Sequence, residues 1–232
     1  MVGILIAIAI SWALLWLFSR EHLTALGIVP NGKRLKEFSI GILPMALFCA
    51  FNLMGQAYLQ DMSYVRNPDY GFQEMLNGIW WTFKAALFEE LIFRGAILYL
   101  LIKKLGIKWG CIISAAAFGI YHWFSYQMFG SGLVPMVYVF LLTGAAGWMF
   151  AYAFAKTKSI YASLGLHFGW IVVSIVFLSS GPLGDSMFVP QGEESGLSEW
   201  EQLFFFLWQT VLVPGMVTWY YVKNYATVKR EW

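Results

Sequence analysis

Six ionisable side chains interrupt the apolar stretches in the middle of this 232-residue chain. They are Lys84, Glu89, Glu90, Arg94, His122 and His167. Ionisable side chains inside apolar spans are costly and usually mark a functional site. A carboxylate and an imidazole that converge on one water molecule form a general-base assembly, and a second imidazole can stabilise an oxyanion. The set therefore indicates that water is activated for hydrolysis.

A divalent metal is the alternative way to activate that water. Glu89, His122 and His167 are the residue types that hold zinc while leaving a fourth position open. The sequence contains no His-Glu-x-x-His stretch, so a metal site would have to be assembled from separate helices. Both routes stay open on the residues alone, and no cofactor is required by them.

The two adjacent glutamates occupy different faces of one predicted helix. Glu90 and Arg94 are four residues apart, so they share a face and can form an ion pair. Glu89 is rotated by about 100° from Glu90 and points elsewhere. The ion pair neutralises one carboxylate, and the second carboxylate needs another partner. A network that serves packing alone is the simpler alternative, but burying two glutamates in the middle of a membrane costs much free energy.

The elements that carry these residues are predicted to be transmembrane helices. Hydrophobic residues make up 59% of the chain and charged residues only 12%, against about 25% charged in soluble domains. We predict an all-α, polytopic bundle that forms one transmembrane domain over residues 1–232, with no soluble domain and no nucleic-acid partner. Seven segments are long and apolar enough to span a bilayer: 2–19, 38–60, 78–101, 109–127, 133–155, 159–179 and 201–222. The aromatic stretch 204–208 of the last span is expected to face lipid.

Loop charges predict the orientation of the bundle. Basic residues cluster in alternate loops and in the C-terminal tail: Arg20, Lys33, Arg34, Lys36, Lys103, Lys104, Lys108, Lys156, Lys158, Lys223, Lys229 and Arg230. The intervening loops are acidic or uncharged: Asp61, Asp69, Glu74, Asp185, Glu193 and Glu194. Only Arg66 departs from this alternation. Because basic loops stay in the cytoplasm, the N-terminus is predicted outside and the C-terminus inside.

Distances from the cytoplasmic charges place the acidic and imidazole groups at similar depths. Glu89 lies 14 residues before Lys103, and His122 lies 14 residues after Lys108, so both are about 21 Å from the cytoplasmic end. His167 lies nine residues after Lys158, which is only about 14 Å in. Helix tilt would have to absorb this mismatch for all three groups to meet.

These motifs resemble the signatures of the CAAX-processing and bacteriocin-processing (CPBP, or Abi) family of intramembrane proteases. The first signature is Glu89-Glu90-x-x-x-Arg94, and the second, FxxxH, begins at Phe118 and ends at His122. The third is a histidine, here His167, followed four residues later by a polar residue. The resemblance covers about residues 78–179, which we expect to form the protease-like core.

The resemblance implies a role for each matching residue. Glu89 would activate water together with His122, Glu90 and Arg94 would order their helix, and His167 would help to hold the oxyanion. The family has been described both as glutamate-type and as zinc-dependent, and we favour the glutamate route. The implied substrate is a hydrophobic or lipidated protein or peptide associated with the lipid bilayer, and the short chain favours a prokaryotic cell membrane.

One position departs from the family pattern. Ile171 stands where the third signature has its polar residue, and it cannot donate a hydrogen bond to an oxyanion. Trp170 and Ser174 are the nearby donors that could take its place. A non-catalytic scaffold on a protease-like fold is therefore the main alternative function. A proton or ion transporter lined by Lys84 is the less favoured one, because the chain is short and shows no paired broken helices.

Overall fold

Helices dominate the computed structural model, which describes residues 1–178, 183, 186–192 and 195–225. The described residues form these α-helices: α1 (Val2–Ser19), α2 (Gly32–Leu59), α3 (Phe72–Phe93), α4 (Ala96–Ser125), α5 (Leu133–Thr157), α6 (Ile160–Val172), α7 (Glu199–Leu207) and α8 (Val213–Asn224). A 3₁₀ turn, Leu23–Leu26, follows α1. One π-helical turn, Val173–Phe177, continues α6, and another, Trp208–Leu212, joins α7 to α8.

Five helical stretches are long and apolar enough to cross a membrane. They are Val2–Ser19, Gly32–Leu59, Leu133–Thr157, Ile160–Phe177 and Glu199–Asn224. The prediction of a helical membrane bundle therefore holds at this level, while the count of seven spans and the outside N-terminus remain predictions. Some predicted features lie outside the described residues: Asp185, Glu193, Glu194, Lys229, Arg230 and the end of the sixth span at 179.

The third and fourth predicted spans differ from the helices that form. Residues 78–101 are not one helix, because α3 ends at Phe93 and α4 begins at Ala96. A side chain at Gly95 would collide with the backbone carbonyl of Leu91, so glycine is needed at this break. The boundary predicted near Lys108 is instead a kink within α4 at Gly106, where φ is 80° and ψ is 167°, a conformation that glycine adopts without strain.

A two-stranded antiparallel sheet is an addition to the predicted all-α fold. Strand β1 (Ser63–Arg66), between α2 and α3, pairs with β2 (Phe188–Gln191), which precedes α7. The amide of Asn67 strengthens the connection by donating to the carbonyl of Ser186 at 3.3 Å. The strands are only four residues long, too short for their alternation to stand out in the sequence.

Glycines bring α6 directly against the backbone of α2. An added Cβ at Gly169 would lie 2.5 Å from the Ile42 carbonyl oxygen, and one at Gly41 would lie 2.7 Å from the Leu166 nitrogen. Gly165 makes an equally close approach to Phe38. Small residues spaced four apart allow such close helix packing in membranes. His167 lies between Gly165 and Gly169, so this contact fixes its height in the bundle.

A similar contact between α4 and α5 positions the second histidine. An added Cβ at Gly119 would lie 2.7 Å from the Phe140 ring, and one at Gly147 would lie 3.1 Å from the Cβ of Phe118. Both contacts leave no room for a larger side chain without movement of a neighbour. They hold the last turns of α4, and with them His122, against α5.

Candidate active site

A buried ionic cluster lies where α3, α4 and α6 meet. The side chains of Glu90 and Arg94 are both fully buried, with Arg94 Nη1 3.4 Å from Glu90 Oε1. The same carboxylate oxygen accepts a hydrogen bond from Nδ1 of His167 at 2.9 Å. One carboxylate therefore joins the C-terminal end of α3 to the middle of α6. Helical spacing brings Glu90 to Arg94, and the glycine contact of α6 brings in His167.

Aromatic rings enclose the guanidinium of Arg94. Its Cζ atom lies 4.2 Å from the centroid of Phe118, 5.0 Å from that of Phe150 and 5.8 Å from that of Phe93. Among the described residues, its side-chain nitrogens have no hydrogen-bond partner, so charge and ring contacts are what offset its desolvation. Cation–π contacts contribute about 2 kcal/mol when the cation is desolvated.

His167 is held by both edges of its ring. The Glu90 carboxylate can only accept, so Nδ1 of His167 carries the proton of their hydrogen bond. The other nitrogen, Nε2, lies 3.7 Å from Oε2 of Glu89. The ring also stacks on Phe150 with centroids 4.9 Å apart and planes 19° apart. The imidazole is thus fixed in orientation, with Nε2 directed toward the second glutamate.

Glu89 is more accessible than its neighbour in the sequence. Its side chain is 18% exposed, whereas that of Glu90 is 0% exposed. The Tyr121 side chain lies near the Glu89 carboxylate, and His167 faces the carboxylate from α6. A carboxylate with a neighbouring imidazole and access to solvent can accept a proton from a water molecule.

His122 has one nitrogen committed to the backbone. Its Nδ1 lies 2.8 Å from the carbonyl oxygen of Phe118, and because a carbonyl only accepts, Nδ1 carries the proton. In the neutral ring Nε2 is then left with a lone pair. The imidazole is buried and makes edge-to-face contacts with Phe118 and Tyr126. It makes no ion-pair contact with Glu89 in the described part of the chain.

A cavity of about 180 Å³ opens beside the two imidazoles. Both His122 and His167 line it, together with Trp170, Ile171 and Gln209. Most of the remaining wall is apolar: Met45, Leu142, Ala146, Met149 and Val213. A largely apolar cavity with a few polar groups is the usual form of a binding site for a hydrophobic ligand.

Part of the chain is similar to a known protein family. Residues 71–173 match the family model described as type II CAAX prenyl endopeptidase Rce1-like. Over these residues the chain is similar to the Rce1-like family. Neither the curated proteins nor the solved structures that were compared contain a match to the chain.

The match to the Rce1-like family confirms the resemblance seen in the sequence and indicates a general class for the chain. The family implies a protease, and therefore a hydrolase. Together with the five apolar helical stretches, it indicates an integral membrane protein whose substrate is a membrane-associated protein. The match contains Glu89, His122 and His167.

The residues of the Rce1-like match do not form a ready metal centre. In the part of the chain that the structure describes, no three His, Cys, Asp or Glu side chains are grouped so that they could hold a metal ion. Glu89 and His167 face each other, but among the described residues His122 is not grouped with them so as to complete a set. Zinc ligation by Glu89, His122 and His167 does not fit this arrangement.

Some residues predicted for the site lie elsewhere. The hydroxyl of Ser174 is 3.4 Å from the carbonyl of Ile171 and is also close to Cys49, so it points toward α2. Nζ of Lys84 lies 5.5 Å from the Trp80 ring centroid, and Lys84 lines a separate surface pocket with Met1. Trp170, in contrast, does line the cavity.

The structure also adds polar residues that the sequence analysis did not assign to the site. Tyr121, on α4, lies close to Glu89. Tyr126 and Gln209 line the cavity beside the histidines. Gln209 could have been found as the only amide in the apolar run 203–213. The expectation that residues 204–208 face lipid was wrong for two of them. Phe205 is 4% exposed, and the indole of Trp208 donates to the Phe48 carbonyl at 3.3 Å.

Proposed function

We propose that the protein is an intramembrane endopeptidase in which Glu89 activates a water molecule beside two fixed imidazoles. The contact that carries the proposal is the 3.7 Å approach of Glu89 Oε2 to Nε2 of His167. Glu90 holds the far side of the same ring at 2.9 Å. A base whose partner is oriented by a third group has the geometry that general-base catalysis requires.

The reaction follows from the free atoms of these side chains. Glu89 accepts a proton from water, and the resulting hydroxide adds to the carbonyl carbon of the scissile peptide bond. Nε2 of His122, which carries the lone pair of the neutral ring, accepts a hydrogen bond from the same water. The proton passes to the leaving nitrogen as the C–N bond breaks. His167, whose ring Glu90 orients through Nδ1, stabilises the oxyanion formed in between.

The substrate we propose is a membrane-associated protein or peptide with a hydrophobic or lipidated end. The mostly apolar wall of the cavity favours such a chain over a charged one. The matched family, described as a type II CAAX prenyl endopeptidase, supports the same class. The protease-like core at 78–179 within a single domain over 1–232, and a location in a prokaryotic cell membrane, remain predictions.

Cleavage of defined peptides tests this proposal. The protein is purified into lipid nanodiscs and given quenched fluorescent peptides that end in a prenylated CAAX sequence, with unprenylated peptides of the same sequence alongside. Glu89→Ala and His122→Ala should abolish cleavage while the protein stays folded. Glu74→Ala is the matched control, because Glu74 is an exposed glutamate on the same helix. Cleavage that persists in Glu89→Ala would remove the proposal.

A non-catalytic scaffold is the second candidate function, and Ile171 is the observation that favours it. Ile171 lines the cavity beside both histidines and offers no hydrogen bond to an oxyanion. If the protein only binds its partner, Glu89→Ala should leave both the binding and the cellular phenotype intact. Binding of the same prenylated peptide, measured by fluorescence anisotropy, separates this outcome from catalysis.

A further inference from the structure

Gln209 is a polar residue in an otherwise apolar stretch of the last helical pair. It lies in the π-helical turn Trp208–Leu212, between α7 and α8. Amide side chains within apolar spans are retained where they have a function or a partner inside the bundle. Single π-helical turns are frequent at functional sites, since they displace a side chain from the regular helical register.

The side chain of Gln209 reaches the cavity that both histidines line. It shares that cavity with His122, His167 and Ile171. Its Nε2 donates one hydrogen bond, to the Phe205 carbonyl at 3.2 Å. A side-chain amide has two N–H donors, so one N–H is left over among the contacts of the described residues.

The cavity wall near Gln209 offers little else to a carbonyl oxygen. Ile171, on α6, has no donor. Thr143, on α5, uses its single hydroxyl proton on the Val139 carbonyl at 2.7 Å. The indole N–H of Trp170 and the hydroxyl of Tyr126 are the competing donors on the same wall.

We infer that the free N–H of Gln209 donates to the carbonyl oxygen of the scissile peptide bond, in place of the polar group that Ile171 lacks. This inference rests on the proposed endopeptidase function. A donor of this kind acts on the negative charge that develops during hydrolysis, so its loss lowers kcat more than it changes KM. Removing one oxyanion donor reduces kcat by about 100-fold or more.

Steady-state cleavage of the prenylated peptide by Gln209→Met is the test. Methionine keeps the length and volume of the side chain but donates no hydrogen bond. We expect kcat to fall by about 100-fold with KM within about threefold of wild type. Adding Ile171→Asn to Gln209→Met should recover at least about tenfold, because Asn would bring a donor back to the same wall. Gln202→Met is the matched control, since Gln202 is exposed on α7 and should leave kcat unchanged.

The outcomes separate this inference from the function on which it rests. A kcat of Gln209→Met equal to that of wild type, or a loss that Ile171→Asn does not reverse, would overturn the inference. The endopeptidase function would still stand if wild-type cleavage depends on Glu89. A loss of kcat in Trp170→Phe or Tyr126→Phe with none in Gln209→Met would assign the donor to that aromatic residue instead and overturn the inference. A wild-type protein without Glu89-dependent cleavage would overturn both. If Gln209→Met unfolds during purification, Gln209→Ala is measured in its place against the same criteria.

Discussion

The two faces of α3 at its C-terminal end differ in how exposed they are, although each carries a glutamate. On one face Glu90 is fully buried against Arg94 and His167. On the other face Glu89 is partly exposed and contacts the free edge of His167. The difference comes from a rotation of about 100° along the helix. It shows how one glutamate can stabilise the fold while its neighbour is left for chemistry.

The buried face is a structural network with a high cost of disruption. Two ionised groups removed from water repay their desolvation only if each keeps its partner. Arg94 has its charge partner in Glu90 and ring contacts to Phe118 and Phe150. The exposed face carries no such constraint, because Glu89 can exchange its contacts with solvent or substrate.

The largest effect is expected from Arg94→Met. It leaves the Glu90 carboxylate buried without its cation, and breaking a buried pair in this way costs about 3–5 kcal/mol. The free energy of unfolding, measured by chemical denaturation in detergent micelles, should fall by that amount, and cleavage should be lost with it. Arg20→Met is the control, because Arg20 is exposed and stacks on Trp16 at 5.4 Å. Equal stability of Arg94→Met and wild type would mean that the buried face is not a structural network.

A smaller effect is expected from Phe118→Leu. The substitution removes the ring that lies 4.2 Å from Arg94, a contact that contributes about 2 kcal/mol when desolvated. The hydrogen bond from His122 uses the backbone carbonyl of residue 118, so it should persist. Stability should therefore fall more than cleavage does. Phe124→Leu, at an exposed position on the same helix, should change neither, and a loss of cleavage without a loss of stability would place Phe118 in the chemistry.

The smallest effect is expected from Lys84→Met, at a half-buried position of α3 that lies apart from both glutamates. Lys84 lies above the Trp80 ring and in a surface pocket apart from the histidines. Substitutions at surface positions change energies by about 0.5 kcal/mol or less, so cleavage should stay within about twofold of wild type. A tenfold loss of cleavage would show that the exposed face extends along α3 to this residue.

Much of this arrangement could be predicted from the sequence, because helical spacing decides which neighbouring side chains share a face. The pairing of Glu90 with Arg94 needs only a separation of four residues. The height of His167 could not be predicted in the same way, since counting from Lys158 left it about 7 Å short of Glu89. Its actual position depends on how closely Gly165 and Gly169 bring α6 to α2, and that closeness is a tertiary property.

The features that the sequence analysis missed share a physical cause. The break at Gly95 and the kink at Gly106 are set by backbone conformation, which apolar composition does not report. The role of Gln209 depends on which side of the last helices faces inward, and the surrounding aromatic residues suggested lipid contact on every side. Phe205 and Trp208 instead pack into the bundle, which turns Gln209 toward the cavity.

The central claim is that Glu89 performs the chemistry and Glu90 supports the fold. Glu89→Gln and Glu90→Gln test it directly. For each variant, cleavage is measured in nanodiscs and the free energy of unfolding in detergent micelles. Glu89→Gln should lose cleavage by about 100-fold or more while its free energy of unfolding stays at the wild-type value. Glu90→Gln should unfold more easily than wild type. Full cleavage in Glu89→Gln, or a Glu90→Gln protein as stable as wild type, would contradict this division of roles.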